Sequence, residues 1–369
     1  MARGKLRFEG AGGDLPFSEL FDGAEPPAPD LPDGPVAVTP AYNEMLRLPD
    51  WFRHHRALGI VHFIMIDNGS TDGTSDFLDA QPDVTRLVTT QAWERVKRPV
   101  RLWPSDRWLT GRWVLHCDSD EFLIPPGWPD MSLPRLLEHW DRTGIDGAFA
   151  PMIDMYAGGP ASEVEVSPGM PLLPAFPMFD AEGYWVAPPL RDRKAYPCPP
   201  YLLFGGPRER LFRELRGGGL LPAPLERLAI RAAMAPARPS HPRPGARRLH
   251  KLIAGRTRPG VHSKVALMRW RHGTRFTSAN HRISEAYKLA ADWTPLLHFR
   301  LIPDFAQRQA EQSLRKSGED AAEGARAFGE EVTRRDLVWS GSRRMTGWRD
   351  LYDAGLMRLS KETRDALGL

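Results

Sequence analysis

The chain has very few cysteines and no long apolar run. Only two of its 369 residues are cysteines, Cys117 and Cys198, which excludes a disulfide framework and a zinc site built from cysteines. Cys117 follows an apolar segment and is expected in the core, as is typical of a protein in a reducing cytoplasm. The N-terminus lacks the apolar stretch of a secretory signal, and the longest apolar run, 60–66, is too short to span a bilayer. We therefore expect a cytoplasmic protein whose membrane association, at the inner face, would be peripheral.

Proline and glycine, in contrast, are abundant. The 36 prolines and 33 glycines predict loops and tails around a core that the 41% of hydrophobic residues can fill. We expect an extended leader at 1–34, a central domain at 35–302 with a flexible basic insertion at 217–248, and a helical tail at 303–369. The tail either packs on the domain or serves a partner. The net charge of +4 is mild, and the insertion lacks a recognisable reading module, so no nucleic acid partner is expected.

Strand and helix patterns alternate in the first third of the chain. The runs that predict buried strands lie at 36–39, 60–66, 86–89 and 113–117. The segments that predict helices lie at 44–58, through Phe77 and Leu78, and at 92–112. His55 falls on the apolar face of the first helix, so a buried, satisfied histidine is expected there. This alternation predicts an α/β fold with a parallel sheet covered by helices, and ligands in such sheets gather at the carboxyl ends of the strands.

Asp118-Ser119-Asp120 directly follows the fourth predicted strand. Two carboxylates one residue apart can bind a hard cation, Mn²⁺ or Mg²⁺, that also holds phosphate oxygens. Such an ion offsets the charge that grows on a departing diphosphate. An isolated Asp-x-Asp is usually a solvated turn, but here a strand precedes it and the acid Glu121 and apolar residues follow it. We therefore place Asp118, Asp120 and Glu121 among the candidate catalytic groups.

A second polar segment, 67–74, follows the second predicted strand. The carboxylate of Asp67 at a strand end, before a glycine-rich turn, can hydrogen-bond a base edge or a ribose. Turn chemistry alone also explains Gly69, Ser70 and Gly73. Both interpretations remain open for the segment taken by itself.

Three motifs together resemble the family 2 glycosyltransferases. They are Pro40-Ala-Tyr42-Asn43-Glu44, Asp67-Asn-Gly-Ser-Thr-Asp-Gly-Thr74, in which Asn68 replaces a second Asp, and Asp118-Ser-Asp-Glu-Phe122. The last is similar to the motif of the family 92-like subgroup. The resemblance implies a Rossmann-like GT-A fold, with a mostly parallel sheet flanked by helices. It also implies transfer of a sugar from a nucleotide-diphosphate donor, with a UDP-sugar favoured, to a glycan or lipid-linked acceptor in surface polysaccharide synthesis.

The resemblance also assigns roles to individual residues. Those expected to line the nucleoside pocket are Thr39, Pro40, Tyr42 and Glu44. Asp67, with Asn68 beside it, would contact the base, Asp118 the ribose or metal, and Asp120 the metal. The later residues that resemble second-half landmarks of the subgroup, and that suit phosphate or an acidic acceptor, are Arg208, Arg210, Lys264 and Arg300.

The metal shell and the base are less defined by sequence. A late histidine often completes the metal site in this fold, and His298 and His281 are the two candidates. The Glu-Asp motif that usually supplies the base is absent. The open candidates for the base are Glu209, Asp192, Asp180 and Glu182, with Glu209 and Asp192 placed first because basic residues flank them. The absent motif also leaves an alternative, a catalytically inactive nucleotide-sugar-binding protein. Nothing in the sequence indicates an oligomeric state.

Overall fold

A computed structural model describes residues 14–187, 198–199, 202–215, 225, 261–277 and 281–369. The predicted insertion at 217–248, apart from Leu225, and Asp192 lie outside these described residues. Within them, none of the helices combines the length and the apolar character needed to cross a bilayer.

The described residues form sixteen strands, eleven α-helices and two short 3-10 helices, Phe17–Glu19 and Ala161–Glu163. The strands are β1 (Val36–Ala41), β2 (His62–Asp67), β3 (Val84–Val88), β4 (Trp113–Leu115), β5 (Glu121–Leu123), β6 (Gly147–Asp154), β7 (Met178–Asp180), β8 (Trp185–Ala187), β9 (Leu202–Phe204), β10 (Ser263–Lys264), β11 (Leu267–Arg269), β12 (Phe276–Thr277), β13 (Arg282–Ile283), β14 (Leu289–Trp293), β15 (Leu296–His298) and β16 (Ser342–Arg344). The helices are α1 (Leu48–Leu58), α2 (Thr74–Asp79), α3 (Trp93–Val96), α4 (Pro99–Trp108), α5 (Leu133–Thr143), α6 (Leu172–Ala175), α7 (Gly206–Leu215), α8 (Phe305–Ser317), α9 (Glu319–Arg334), α10 (Trp348–Asp353) and α11 (Lys361–Leu367).

A ten-stranded sheet forms the centre of the fold, in the order β3-β2-β1-β4-β11-β6-β15-β5, with β10 and β14 also pairing with β6. Strands β3, β2, β1 and β4 are parallel. Strand β11 runs antiparallel to both β4 and β6, and β15 is parallel to β6 but antiparallel to β5. The expectation of an α/β fold with a mostly parallel sheet flanked by helices, consistent with a Rossmann-like GT-A arrangement, is confirmed.

Helix α1 forms where the apolar spacing predicts it. The residues of its apolar face are all buried, namely Leu48, Trp51, Phe52, His55 and Leu58. The helix ends at Gly59, whose φ of 96° is the left-handed conformation that glycine adopts without strain. His55 Nδ1 lies 2.9 Å from the carbonyl oxygen of Trp51, so the expectation of a satisfied core histidine is confirmed.

The leader differs from the expectation of a segment with little core. Phe17, Leu20 and Phe21 are buried in the same apolar cluster as Val36 and Val38 of β1. The ring centroids of Phe17 and Phe21 lie 5.2 and 5.7 Å from that of Trp103 on α4. Burial of these aromatic side chains removes large apolar areas from water, which stabilises the fold. Residues 14–34 are therefore part of the domain.

The helical tail packs on the domain. Both guanidinium amino groups of Arg47 on the α1 side donate to the carboxylate of Asp304, at 2.7 and 2.6 Å. Farther along, β16 pairs with β7 through Ser342 and Asp180. The first contact fixes the start of α8 beside α1, and the second attaches the segment that follows α9 to the domain. The proposed boundary at residue 302 therefore lies inside the structural unit that forms the site.

Candidate active site

A cleft of about 320 Å³ lies between the carboxyl ends of the central strands and helix α8. One wall comes from the strand ends and the other from the segment after β15. The polar and aromatic groups that face each other across it are Tyr42, Glu44, Asn68, Asp118, Asp120 and His298 on the strand side, and Arg300, Arg308, Arg315 and Lys316 on the other. The cleft thus brings together acids, a histidine and several cations.

Strand pairing explains why residues far apart in sequence meet here. β15 is parallel to β6, with His298 opposite Asp154, and antiparallel to β5, with His298 opposite Glu121. The amide of Phe299 donates to the carbonyl oxygen of Asp120 at 2.8 Å. One edge of the sheet therefore holds these side chains in register.

His298 lies between two carboxylates. Its Nδ1 is 2.7 Å from Asp154 Oδ1, and its Nε2 is 3.4 Å from Asp120 Oδ2. Burial opposes protonation of His298, but Asp120 and Asp154 outweigh it and raise the pKa of the imidazole. Burial also works against ionisation of Asp154, yet Arg208 and His298 hold its pKa well below the usual range. Asp154 was not among the residues singled out from the sequence.

The Asp120–His298 pair fits two ligands of one divalent cation. Ligand bonds of about 2.1 Å place neighbouring donor atoms roughly 3 Å apart, close to the 3.4 Å between Asp120 Oδ2 and His298 Nε2. Asp154 on Nδ1 orients the ring with Nε2 toward the cleft, as the outer carboxylates of metal sites do. Among the described residues no group of three or more His, Cys, Asp or Glu side chains forms a cation site. Asp120 and His298 would therefore be the two side chains that hold such an ion.

Asp118 and Glu121 have other partners. Asp118 is 38% exposed, and its Oδ1 lies 2.7 Å from the guanidinium of Arg101. Glu121 and Lys264 are fully buried and form an ion pair of 2.6 Å. The same Glu121 oxygen accepts the backbone amide of Asp118 at 2.8 Å. Glu121 and Lys264 thus support the loop behind the cleft, whereas Asp118 lines it.

In the polar turn after β2, Asp67 stabilises the turn itself, whereas Asn68 lines the cleft. Both oxygens of the buried Asp67 carboxylate accept hydrogen bonds within the turn, from Ser70 N at 2.9 Å and from Ser75 Oγ at 2.6 Å. Asn68 instead reaches the cleft. Its Nδ2 donates to the carbonyl oxygens of Thr89 and Gln91 at 2.8 and 3.1 Å, which fixes Oδ1 toward the cleft. The structure therefore places Asn68, rather than Asp67, in the cleft lining.

The rest of this turn shapes the loop that follows β1. Its side chains accept hydrogen bonds from consecutive backbone amides of that loop, in the pairs Asn43 N to Ser70 Oγ (3.1 Å), Glu44 N to Thr74 Oγ1 (3.0 Å) and Met45 N to Asp72 Oδ2 (3.0 Å). Asn43 has a φ of 53°, and its Oδ1 accepts from Thr71 N at 2.8 Å. Two of the motifs are thus one hydrogen-bonded unit that presents Tyr42 and Glu44 to the cleft.

Helix α8 supplies cations that no sequence motif indicates. Arg308 contacts Glu44 at 2.7 Å and lies 3.6 Å from Asp120. Arg315 lies over the ring of Tyr42, at 4.1 Å from its centroid. These two arginines are seven residues apart, so two helical turns bring them to one face. That spacing was the available signal, but it does not reveal which surface the face meets.

Arg300 is the predicted cation that lines the cleft. Its Nε is buried and has no hydrogen-bond partner among the described residues. Burial, and then the charge of Arg208, lower the pKa of Arg300 to about 10. An anionic ligand would relieve both costs, since it would pair with a guanidinium that is already desolvated.

Two predicted cations lie behind the cleft. Arg208 on α7 donates from Nε to Asp154 Oδ2 at 2.6 Å, and so supports the carboxylate that orients the histidine. Arg210 forms a 3.0 Å ion pair with Asp180 and donates to the carbonyl oxygen of Leu337 at 2.9 Å. Arg210 and Asp180 thus attach the tail to the domain.

Other candidates also lie away from the cleft lining. Glu209 accepts from Trp185 Nε1 at 3.4 Å, and Glu182 is exposed at the surface. His281 Nδ1 lies 3.0 Å from the carbonyl oxygen of Ser263, and burial lowers the pKa of this imidazole to about 4. Of the two histidine candidates, the structure brings only His298 to the acids.

Of the two candidates at the end of β1, only Pro40 reaches the cleft. Thr39 is buried, with Oγ1 3.9 Å from the thiol of Cys117, whereas Pro40 lines the cleft. Cys117 is a buried free thiol, as expected, and burial raises its pKa well above the usual value.

No family model and no curated protein matches this chain. Among solved structures, the crystal structure of S. aureus TarS 1–349 is similar with a TM-score of 0.26 and 11% identity, over 81% of this chain and 71% of that one. UDP-glucose pyrophosphorylase from Acinetobacter baumanii is similar with a TM-score of 0.21 and 10% identity, over 35% of this chain and 62% of that one. Similarity at this level carries no argument about function.

Proposed function

We propose that this protein is a glycosyltransferase that uses a nucleotide-diphosphate sugar, first of all a UDP-sugar, together with Mn²⁺ or Mg²⁺. The acceptor would be a hydroxyl of a glycan or of a lipid-linked sugar in surface polysaccharide synthesis, at the inner face of the membrane. The observation that supports the proposal most is the cleft itself. It combines a carboxylate–histidine pair, Asp120 and His298, with the cations Arg300 and Arg308 and the aromatic ring of Tyr42.

Each of these groups suits one part of a nucleotide sugar. Asp120 and His298 would hold a divalent cation, which supplies positive charge beside the two phosphates. Arg300 and Arg308 lie where a diphosphate leaving group would need further compensation, and fixed charges of this kind stabilise the transition state without reorganisation. The ring of Tyr42 offers a face on which a nucleobase can stack.

A second candidate is a nucleotide-sugar-binding protein without turnover. It is favoured by the placement of three of the four candidate bases, since Glu209, Asp180 and Glu182 lie away from the cleft lining, whereas Asp192 lies outside the described residues. Both candidates predict binding of a nucleotide sugar, and they differ only in release of the nucleoside diphosphate.

A thermal-shift screen of UDP, GDP, CMP, dTDP and their sugars, each with and without Mn²⁺, tests the donor site. A ligand at about one hundred times its Kd stabilises the folded state by about 2.7 kcal/mol. We expect one nucleotide to raise the melting temperature, and to do so more strongly with Mn²⁺. The variant Asp120→Asn should lose the Mn²⁺-dependent part of the shift, whereas Asp353→Asn, an exposed acid on α10, should keep it.

Two outcomes would contradict the proposal. Absence of any shift from folded protein would remove the nucleotide site. A shift that is equal with and without Mn²⁺, and unchanged in Asp120→Asn, would remove the metal assignment while leaving the nucleotide site in place.

A further inference from the structure

The side chain of Arg315 lies in the cleft against an aromatic ring and a neutral amide, although a cation would be expected to pair with an acid. The guanidinium carbon is 4.1 Å from the centroid of the Tyr42 ring, so the cationic group lies over the aromatic face. One amino group donates to Oδ1 of Asn68. The nearest acceptor is thus a neutral amide oxygen, although Glu311, an acid of the same helix, also lines the cleft.

A nucleobase offers the same pair of features. It is flat, it stacks on tyrosine, and it carries N–H donors in the plane of the ring. A guanidinium is the protein side chain that comes nearest to this combination, because it is planar and delocalised and its donors lie in its plane. The surface formed by Tyr42 and Asn68 is therefore complementary to a stacked base with one N–H directed at the amide oxygen.

We infer that Arg315 occupies the base subsite of the proposed donor site, the surface formed by Tyr42 and Asn68, in the ligand-free protein. This inference rests on the proposed function. The nucleobase displaces the guanidinium from the ring and from Asn68 Oδ1. Arg315 is exposed and lies near the end of α8, so its side chain can leave by rotation while the helix stays in place.

The helix has separate attachments that remain when Arg315 moves. Arg308, two turns earlier, is paired with Glu44, and Lys316 lies 3.1 Å from Glu94 on α3. A displaced Arg315 stays beside the cleft, where its guanidinium can donate hydrogen bonds to a diphosphate. The same side chain therefore competes with the base and attracts the phosphates.

Asn68 sets the strength of this competition. Its Nδ2 is held by the carbonyl oxygens of Thr89 and Gln91, so it presents only an acceptor to the cleft. An aspartate here would form a charged pair with Arg315, and charge-assisted hydrogen bonds are roughly twice as strong as neutral ones. The amide thus accepts a base N–H and still allows the guanidinium to leave.

The test separates the base from the phosphates. Binding of uridine, cytidine, guanosine and thymidine, each beside its diphosphate, is measured by calorimetry for the full chain and for Arg315→Ala. A side chain that blocks the subsite lowers the apparent affinity by the fraction of open protein. We expect the nucleoside with the preferred base to bind on the order of tenfold more tightly to Arg315→Ala. Its diphosphate should gain less, because the variant also loses a phosphate contact.

Two further variants keep this result interpretable. Arg334→Ala removes an exposed arginine of α9 that pairs with Glu330, and it should leave nucleoside binding unchanged. Tyr42→Leu combined with Arg315→Ala should cancel the tenfold gain, since the base then lacks its stacking surface.

The outcomes distinguish this inference from the proposed function. If the diphosphate binds but the nucleoside binds equally or more weakly to Arg315→Ala, Arg315 is only a phosphate ligand and the inference is overturned. If the gain persists without the Tyr42 ring, the subsite lies elsewhere and the inference also fails. If no nucleotide binds to either protein, the proposed function itself fails.

Discussion

The motif region, residues 40–122, and helix α8 use their polar side chains in opposite ways. In the motif region most of these groups are committed to the fold, since Asp67 and Asp72 accept backbone amides and Glu121 pairs with Lys264. The cations of α8 instead reach across the cleft, Arg308 to Glu44 and Arg315 to Asn68. A recognisable motif can thus be largely scaffold, while a helix without a motif carries the groups that meet a ligand.

This division follows from where each group can find a partner. Carboxylates and hydroxyls at strand ends lie beside free backbone amides, which they satisfy at little cost. Arginines on a helix face have no such neighbours and extend toward the nearest acid or ring. Substitutions should therefore separate into those that change stability and those that change ligand binding.

The largest expected loss of stability comes from breaking the buried ion pair of Glu121 and Lys264. Lys264→Ala leaves Glu121 buried without its counter-ion, which should lower the free energy of unfolding by about 3–5 kcal/mol in urea denaturation. The double variant Glu121→Leu with Lys264→Met should recover much of the loss, because no lone buried charge remains. A single variant as stable as the wild type would show that the pair is not part of the scaffold.

The next effect concerns the leader. Phe21→Ala removes a ring packed on Trp103 and should cost about 3 kcal/mol, whereas Glu19→Ala, an exposed neighbour, should change stability by less than about 0.5 kcal/mol. Thermal unfolding of the two variants checks this. Equal melting temperatures would show that residues 14–34 are an extended segment outside the core.

The smallest effects give the sharpest comparison between the two regions. Asp72→Ala loses hydrogen bonds to the amides of Met45 and Thr74, both 3.0 Å, and should cost about 1–2 kcal/mol of stability. Arg300→Gln should change the free energy of unfolding by less than about 0.5 kcal/mol. It should weaken binding of the nucleoside diphosphate by roughly tenfold. Urea unfolding and calorimetry with UDP measure the two quantities. The reverse pattern, with Asp72 affecting only binding and Arg300 only stability, would break the comparison.

The sequence predicts the fold of the first third of the chain well. The apolar runs correspond to β1, β2, β3 and β4, and the amphipathic pattern to α1, because burial at strand and helix periods is a local property. The convergence of the motifs follows from the parallel order of the strands. Position in a turn, however, does not decide whether Asp67 or Asn68 faces the cleft, since that depends on carbonyl groups some twenty residues later.

The positions of the two α8 arginines in the cleft could not be predicted from one sequence. Arg308 and Arg315 meet residues 264 and 247 positions earlier in the chain, and periodicity carries no information about such pairings. The same holds for Asp154, which the register of β6 and β15 brings to His298. Composition likewise made the leader resemble a tail, although Phe17 and Phe21 were visible as the aromatic residues that could anchor it.

The most direct test of the central claim is release of a nucleoside diphosphate from the sugar nucleotide that binds best. The measurement uses the full chain with Mn²⁺ and water as the acceptor, so no glycan needs to be identified. We expect slow release by the wild type, and a loss of about one hundredfold or more in Asp120→Asn. An equal rate in Asp120→Asn would contradict the assignment of this cleft as the transfer site, and binding with no release by the wild type in the presence of candidate acceptors would favour the non-catalytic alternative.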